Sequence, residues 1–89
     1  MLKIEISKRS AKFLQKLNPK QARQLATKIQ ELSSNPEPHD SQQLKGFAPL
    51  RRADVGEYRI VYVVEEDTVK IALVGKRNDD EIYKQLKRL

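Results

Sequence analysis

The sequence predicts an α+β domain with the element order β-α-α-β-β-β-α, and three observations carry the prediction. Apolar residues alternate with charged ones at the start of the chain. They recur at helical spacing through its first third, then give way to two runs of β-branched residues joined by an acidic turn. The third observation is length: 89 residues form one core, and a chain of this size buries only about 60–70% of its unfolded surface.

Leu2, Ile4 and Ile6 alternate with Lys3 and Glu5, giving a short strand with one apolar face. Ser7 is placed to cap a first helix over residues 8–17, where Ala11, Leu14 and Leu17, with Phe13, fall at helical spacing. Asn18-Pro19 restarts the chain as a second helix running to about residue 33 on the stripe Ala22, Leu25, Ile29 and Leu32. The two helices pair as a hairpin with Lys and Arg outward. Residues 33–40, with Pro36 and Pro38, break the pattern and connect elements of one domain, because neither side alone has enough apolar residues for a core. His39, in this loop, reads as solvent-exposed. Residues 44–50 form a loop leading to a short strand over 50–54, and Val55-Gly56-Glu57 turns the chain. Residues 58–64 are the strongest strand signal, Glu65-Glu66-Asp67 is a turn, and residues 68–74 form the next strand. Asn78 or Asp79 caps a last helix, with Asp80 and Glu81 in its first turn and Ile82, Leu86 and Leu89 along its apolar side.

Composition excludes several chemistries. Without Cys there is no disulfide and no Cys–His nucleophile, and a single His leaves neither a zinc site nor a histidine pair for acid–base work. No apolar run is long enough to span a membrane, and the first residues carry charges where a signal peptide needs an apolar stretch, so a cytoplasmic location is expected. The acidic triplets at 65–67 and 79–81 are contiguous and sit at element ends, whereas metal nucleases need carboxylates converging from several elements. No metal or other cofactor is expected.

The net charge of +6 is unevenly placed. Residues 1–30 hold eight basic groups and one acidic group, a balance of +7, while residues 31–89 hold ten and eleven, a balance of −1. The basic helical face, with Lys12, Lys16 and Arg23, suits a polyanion.

Folding about the acidic turn makes the last two long strands an antiparallel hairpin and sets Arg59 across from about Val74. Arg77 then comes within roughly 10 Å of Arg59, and Tyr83 follows about 9 Å further along the last helix. Arg52 arrives on the preceding strand. Topology thus gathers Arg52, Arg59, Arg77 and Tyr83 on one patch. Guanidinium groups bind phosphate in bidentate fashion and stay charged, and a tyrosine stacks on a base or moves a proton. The same spacing equally allows a purely structural set, with the arginines paired to Asp54, Glu57 and the acidic turn.

From Leu44 to Tyr83 the sequence resembles the RelE/ParE toxin superfamily, in its RelE-like branch. The resemblance rests on Leu44-Lys45-Gly46, on Arg52-x-x-x-Gly56-x-Tyr58-Arg59-Ile60-Val61-Tyr62, and on Val74-Gly75-Lys76-Arg77 followed six residues later by Tyr83. The element order agrees along nearly the whole chain. The resemblance implies a curved, mainly antiparallel four-stranded sheet with an N-terminal helical hairpin and a C-terminal helix. It implies the toxin of a type II toxin–antitoxin pair, blocked by a cognate antitoxin. RelE-like members are ribosome-dependent endoribonucleases that cut mRNA in the A site without metal, using the neighbouring 2′-hydroxyl as nucleophile. The expected partners are therefore antitoxin, ribosome and mRNA, with no membrane.

Carried over by motif, Arg59 is a phosphate binder and Arg77 stabilises the transition state or protonates the leaving group. Tyr83 stacks on or orients the nucleotide and assists proton transfer, and Arg52 is a basic strand residue of the active site. Lys45, Arg51 and Lys76 join Lys12, Lys16 and Arg23 as RNA-binding positions. One departure stands out: Asp54 occupies a position where RelE-like sites usually place a second basic residue. Asp54 then acts as a base, weakens catalysis or pairs with an arginine, and pairing is the expectation. The rival readings are a ParE-like toxin that poisons DNA gyrase, whose chains generally lack equivalents of Arg77 and Tyr83, and a non-catalytic RNA- or ribosome-binding module.

Overall fold

A computed structural model describes residues 1–78 and 81–88. The elements are β1 (Lys3–Ile6), α1 (Lys8–Gln15), α2 (Pro19–Ser34), β2 (Ser41–Gln43), β3 (Arg51–Val55), β4 (Tyr58–Glu65), β5 (Thr68–Lys76) and α3 (Glu81–Lys87). The α+β class stands, but the sheet has five strands rather than four, in the order β1-β5-β4-β3-β2. It is mixed: β1 runs parallel to β5 and the other pairs are antiparallel. The additional strand, β2, is Ser-Gln-Gln. It has no apolar alternation to betray it, and it joins the sheet through backbone pairing with β3.

Local signals explain the helices. The Ser7 side chain accepts from the Ser10 amide at 3.1 Å and caps α1. The helix ends at Gln15, earlier than expected, because the Lys16 amide turns back to the Phe13 carbonyl at 3.1 Å and tightens the last turn. Asn18 caps α2 through the Gln21 amide at 2.9 Å, with Pro19 in the first turn. The expected Asp79 cap, Asp80 and Leu89 lie outside the described residues.

The sheet separates two cores. On one face, Leu25, Ile29 and Leu32 of α2 pack on Tyr58, Ile60, Tyr62, Val69, Ile71 and Val74. Phe13 of α1 meets Tyr58 edge-on at 5.9 Å. The Tyr62 hydroxyl donates to the Pro36 carbonyl at 2.7 Å and ties down the proline-containing loop. On the other face, Ile82 and Leu86 of α3 pack with Leu44, Val61 and Leu73.

A bulge in β5 fixes what shares that second face. Pairing runs Tyr62↔Ile71 and then Val61↔Leu73, which leaves Ala72 as an extra residue. The Ala72 carbonyl accepts the Ser7 hydroxyl at 2.8 Å, so the cap of α1 also pins the bulge. Beyond it, Arg59 faces Gly75 rather than Val74. Side chains alternate along a strand, so this one-residue shift puts Arg77 on the side of Arg59 and Lys76 on the opposite side.

Candidate nucleic-acid interface

Three charged side chains project from adjacent strands onto the α3 face. Ala53 belongs to the helical-pair core, so its neighbours Arg52 and Asp54 point the other way. Asp54 stands opposite Arg59 and Arg52 opposite Val61. These arginines, with Gln42 of β2, Lys45 and Tyr83 of α3, line a cleft of about 430 Å³.

Arg59 is the hub. Its Nε donates to Asp54 Oδ1 at 2.8 Å and its Nη2 to Oδ2 at 3.3 Å, a two-point pair. Its Nη1 donates to the Tyr83 hydroxyl oxygen at 2.5 Å. Because Tyr83 accepts there, its own proton stays available to a ligand in the cleft. Arg52 Nη2 donates to Gln42 Oε1 at 2.9 Å, and its Nη1 lies 3.5 Å from Asp54 Oδ2. The Arg59 side chain is only 12% exposed and that of Asp54 29%. The Arg59 hydrogen bonds hold the Asp54 carboxyl below the usual carboxylate range against the opposing effect of burial, and the charges of Arg59, Arg52 and Arg77 add to this. Reciprocally, Asp54 raises the affinity of Arg59 for its proton. Asp54 is thus paired.

The fold brings Arg52, Arg59, Tyr83 and Lys45 together. Arg77 sits just past β5, where its amide donates to the Glu57 carbonyl at 2.9 Å and continues the hairpin. Its side chain is exposed on the rim, and its charge reaches Asp54. Arg51 is not gathered. It pairs with Tyr62 on the opposite face, donating to Ser41 Oγ at 2.8 Å with Nη1 lying 3.3 Å from Glu37. Lys76 pairs with Tyr58 and likewise falls on that side. Lys12 and Lys16, with Arg9, line a separate recess of α1 that also includes Gln85 of α3. Arg23 is on α2, where its Nε donates to the Pro19 carbonyl at 3.4 Å.

Two contributors were not read from the sequence. Gln42 sits on the polar strand that lacked a pattern. Gly75 has a packing role: a Cβ there would lie 2.8 Å from Ile82 Cγ1, so the missing side chain lets α3 approach β5. Its place in the Gly-Lys-Arg run was the available signal.

Among the described residues, no three His, Asp or Glu side chains converge to hold a metal ion. No helix among them is long and apolar enough to cross a membrane.

Residues 4–81 match the model of the family described as the ParE toxin of the type II toxin–antitoxin system parDE. No curated protein matches the chain. Among solved structures, the chain is similar to the archaeal RelE–RelB complex of Pyrococcus horikoshii, with 29% identity and a TM-score of 0.75 over 85% of this chain and 94% of that one. It is also similar to the intact E. coli RelBE toxin–antitoxin complex, with 25% identity and a TM-score of 0.76 over 85% and 96%. The isolated E. coli RelE toxin shares the fold, with 24% identity and a TM-score of 0.76 over 99% and 97%.

Proposed function

The chain belongs to the family of ParE toxins of type II toxin–antitoxin systems, within the RelE-like branch of the RelE/ParE superfamily, and on that premise we propose that it is a ribosome-dependent endoribonuclease. Its substrate is the mRNA codon in the ribosomal A site. The observation that carries this reading is Arg59: a mostly buried guanidinium, held along one edge by the Asp54 carboxylate and donating from Nη1 to Tyr83, in a cleft lined by further cationic groups.

In the proposed reaction the 2′-hydroxyl oxygen of one nucleotide attacks the adjacent phosphorus and loses its proton. The P–O5′ bond breaks, the 5′-oxygen gains a proton, and a 2′,3′-cyclic phosphate remains. Arg59 and Arg52 neutralise the non-bridging oxygens as charge builds, and preorganised donors of this kind contribute several kcal/mol. Arg77, on the rim, reaches the leaving oxygen or the same charge. Tyr83 stacks on or orients the nucleotide and offers its hydroxyl proton. Arg has a poorly matched pKa for proton transfer, so much of the rate comes from positioning on the ribosome. Asp54 holds Arg59 in orientation and also competes with phosphate for it. Lys45 contacts RNA at the cleft, and Lys12, Lys16 and Arg23 dock on ribosomal RNA. The RelE neighbours solved with RelB support a cognate antitoxin as the second partner.

The test is mRNA on programmed ribosomes with the purified protein, cut sites being mapped by primer extension beside Arg77→Ala. Codon-spaced cuts that vanish in the variant support the reading. The matched family model bears the ParE name, so gyrase inhibition is the second reading. Intact mRNA together with blocked gyrase supercoiling would establish it instead.

A further inference from the structure

Arg52 and Arg59 line the same cleft but are held by different chemistry. Arg59 is anchored by a carboxylate: its Nε and Nη2 donate to Asp54, and its Nη1 donates to Tyr83. Arg52 is held chiefly by a neutral group. Its Nη2 donates to Gln42 Oε1 at 2.9 Å, while its contact from Nη1 to Asp54 Oδ2 is a marginal 3.5 Å. Its Nε makes no hydrogen bond to the described residues. The Arg52 side chain keeps 28% of its surface against 12% for Arg59, so it is the more accessible of the two. Gln42 stands directly opposite Arg52 across the β2–β3 pair, which places both side chains on the cleft face and within reach of each other. A guanidinium has donors and no acceptor, so the carboxamide must turn its oxygen toward Arg52. β2 adds no apolar side chain to either core; what its middle residue adds is this contact.

We propose that Gln42 is the positioning residue of Arg52, holding it away from Asp54 by a neutral acceptor, so that Arg52 is the guanidinium that first receives the RNA phosphate. This deepens the ribonuclease reading and rests on it for RNA as the ligand. The neutrality of Gln42 is the point. A carboxylate in its place would hold Arg52 more strongly and also offset its charge, as Asp54 does for Arg59. The carboxamide fixes the direction of Arg52 and leaves its positive charge to attract phosphate. Asp54 cannot do the same for both arginines, since its Oδ2 already accepts from Arg59 Nη2 at 3.3 Å. Without the Gln42 oxygen, Arg52 has this carboxylate as its nearest acceptor and closes on it, withdrawing from the ligand. The two arginines thereby divide the work: Arg59 is the neutralised anchor that joins β3, β4 and α3, and Arg52 is the charged arm.

Fluorescence anisotropy with a short single-stranded RNA, made uncleavable by 2′-deoxy substitution, tests this without ribosomes. Gln42 is exposed and β2 is held by backbone pairing, so the variants keep the fold, and thermal melts check that they do. Gln42→Met has similar length but no acceptor, and should weaken binding about fivefold. In an Arg52→Ala background the same change should have no further effect, because a positioning residue acts only through the group that it positions. Gln42→Glu should hold Arg52 at least as firmly and leave Tm at or above that of the wild type. It should nevertheless weaken binding about tenfold, with a slope of log K against log salt shallower by about 0.7, the loss of one single-strand phosphate contact. A merely structural Gln42 would instead lower stability and binding together. A wild type that does not bind the RNA, a Gln42→Glu protein that binds it as the wild type does, or a Gln42→Met cost that is the same with and without Arg52 would each overturn the proposal. None of these readouts needs cleavage, whereas intact mRNA on programmed ribosomes defeats the ribonuclease reading, so the two failures are told apart.

Discussion

Replacing Gly75 by alanine puts a carbon 2.8 Å from Ile82 Cγ1 and 3.0 Å from its Cδ1. Non-bonded carbons settle about 3.5–4.0 Å apart, so something must retreat by about 1 Å. Ile82 is β-branched and stiff at χ1, and Cγ1 lies near its backbone, so rotation gives little relief. The choice is between shifting α3 and releasing it. Overpacking of this size costs about 1–3 kcal/mol. Release would expose Ile82 and Leu86, both buried, at roughly 1.5–3 kcal/mol each. Shifting is cheaper, so α3 stays docked but displaced. Alanine also restricts the unfolded chain, which returns about 0.4–1 kcal/mol. The net loss is then about 0.5–2 kcal/mol, a fall of several degrees in Tm. Tyr83 follows Ile82 on the same helix, so its 2.5 Å bond from Arg59 lengthens by up to about 1 Å and weakens. Thermal melts read the first effect, Tyr83 ring resonances the second, and ribosomal mRNA cleavage should fall about tenfold. A Gly75→Ala protein with wild-type stability and unchanged Tyr83 resonances would refute the reasoning, since Ile82 would then be yielding in place.

Asp54→Asn should cost about 1–3 kcal/mol, because it leaves a largely buried Arg59 without its counter-charge. The Asp54 carboxyl titrates below its unfolded value, so the stability of the pair is complete above about pH 4 and is lost as pH falls through the lowered folded value. Urea midpoints of wild type and variant should therefore draw together in acid, and a gap that persists unchanged would count against the pair. The same variant should bind RNA more tightly with a steeper salt dependence; weaker binding would show that Asp54 does not compete with phosphate. Arg77→Ala, at an exposed position, should alter stability by no more than about 0.5 kcal/mol yet slow cleavage about 100-fold or more. Cleavage at the wild-type rate would remove Arg77 from the chemistry. Lys12→Glu/Lys16→Glu should weaken ribosome co-sedimentation and flatten its salt dependence, and unchanged binding would mark that helix face as solvated surface only.

Strong local patterns carried most of the architecture. The helix caps at Ser7 and Asn18, the β-branched run through Tyr62 and the acidic turn all report on their own neighbourhood, and each formed as expected. β2 was hidden because Ser41, Gln42 and Gln43 hold their place by pairing with β3, which a polar segment does not announce. The bulge at Ala72 was hidden for the opposite reason: residues 68–74 are apolar enough to suit either register, and the choice is made by β4 and by the Ser7 hydroxyl. That choice decides which face receives Arg77. The separation of Arg51 from Arg52 was legible in principle, since neighbours on a strand point to opposite faces. Asp54 departs from a wholly basic site and was expected to pair with an arginine; the register opposite Arg59 names the partner.

The parallel pairing of β1 with β5 bears on how the chain comes to be folded during its own synthesis. Ser7 and the Ala72 carbonyl that it holds are 65 residues apart. The β4–β5 hairpin can close within microseconds of being made, whereas contacts between the two ends of a chain wait on a long loop and slow folding. β1 leaves the ribosome first and must wait for the last long strand before it has a neighbour. Until then the bulge that orients Arg77 lacks its pin. A chain of this topology thus completes the bulge that orients Arg77 only after β5 has been made, however early its first strand and helices form.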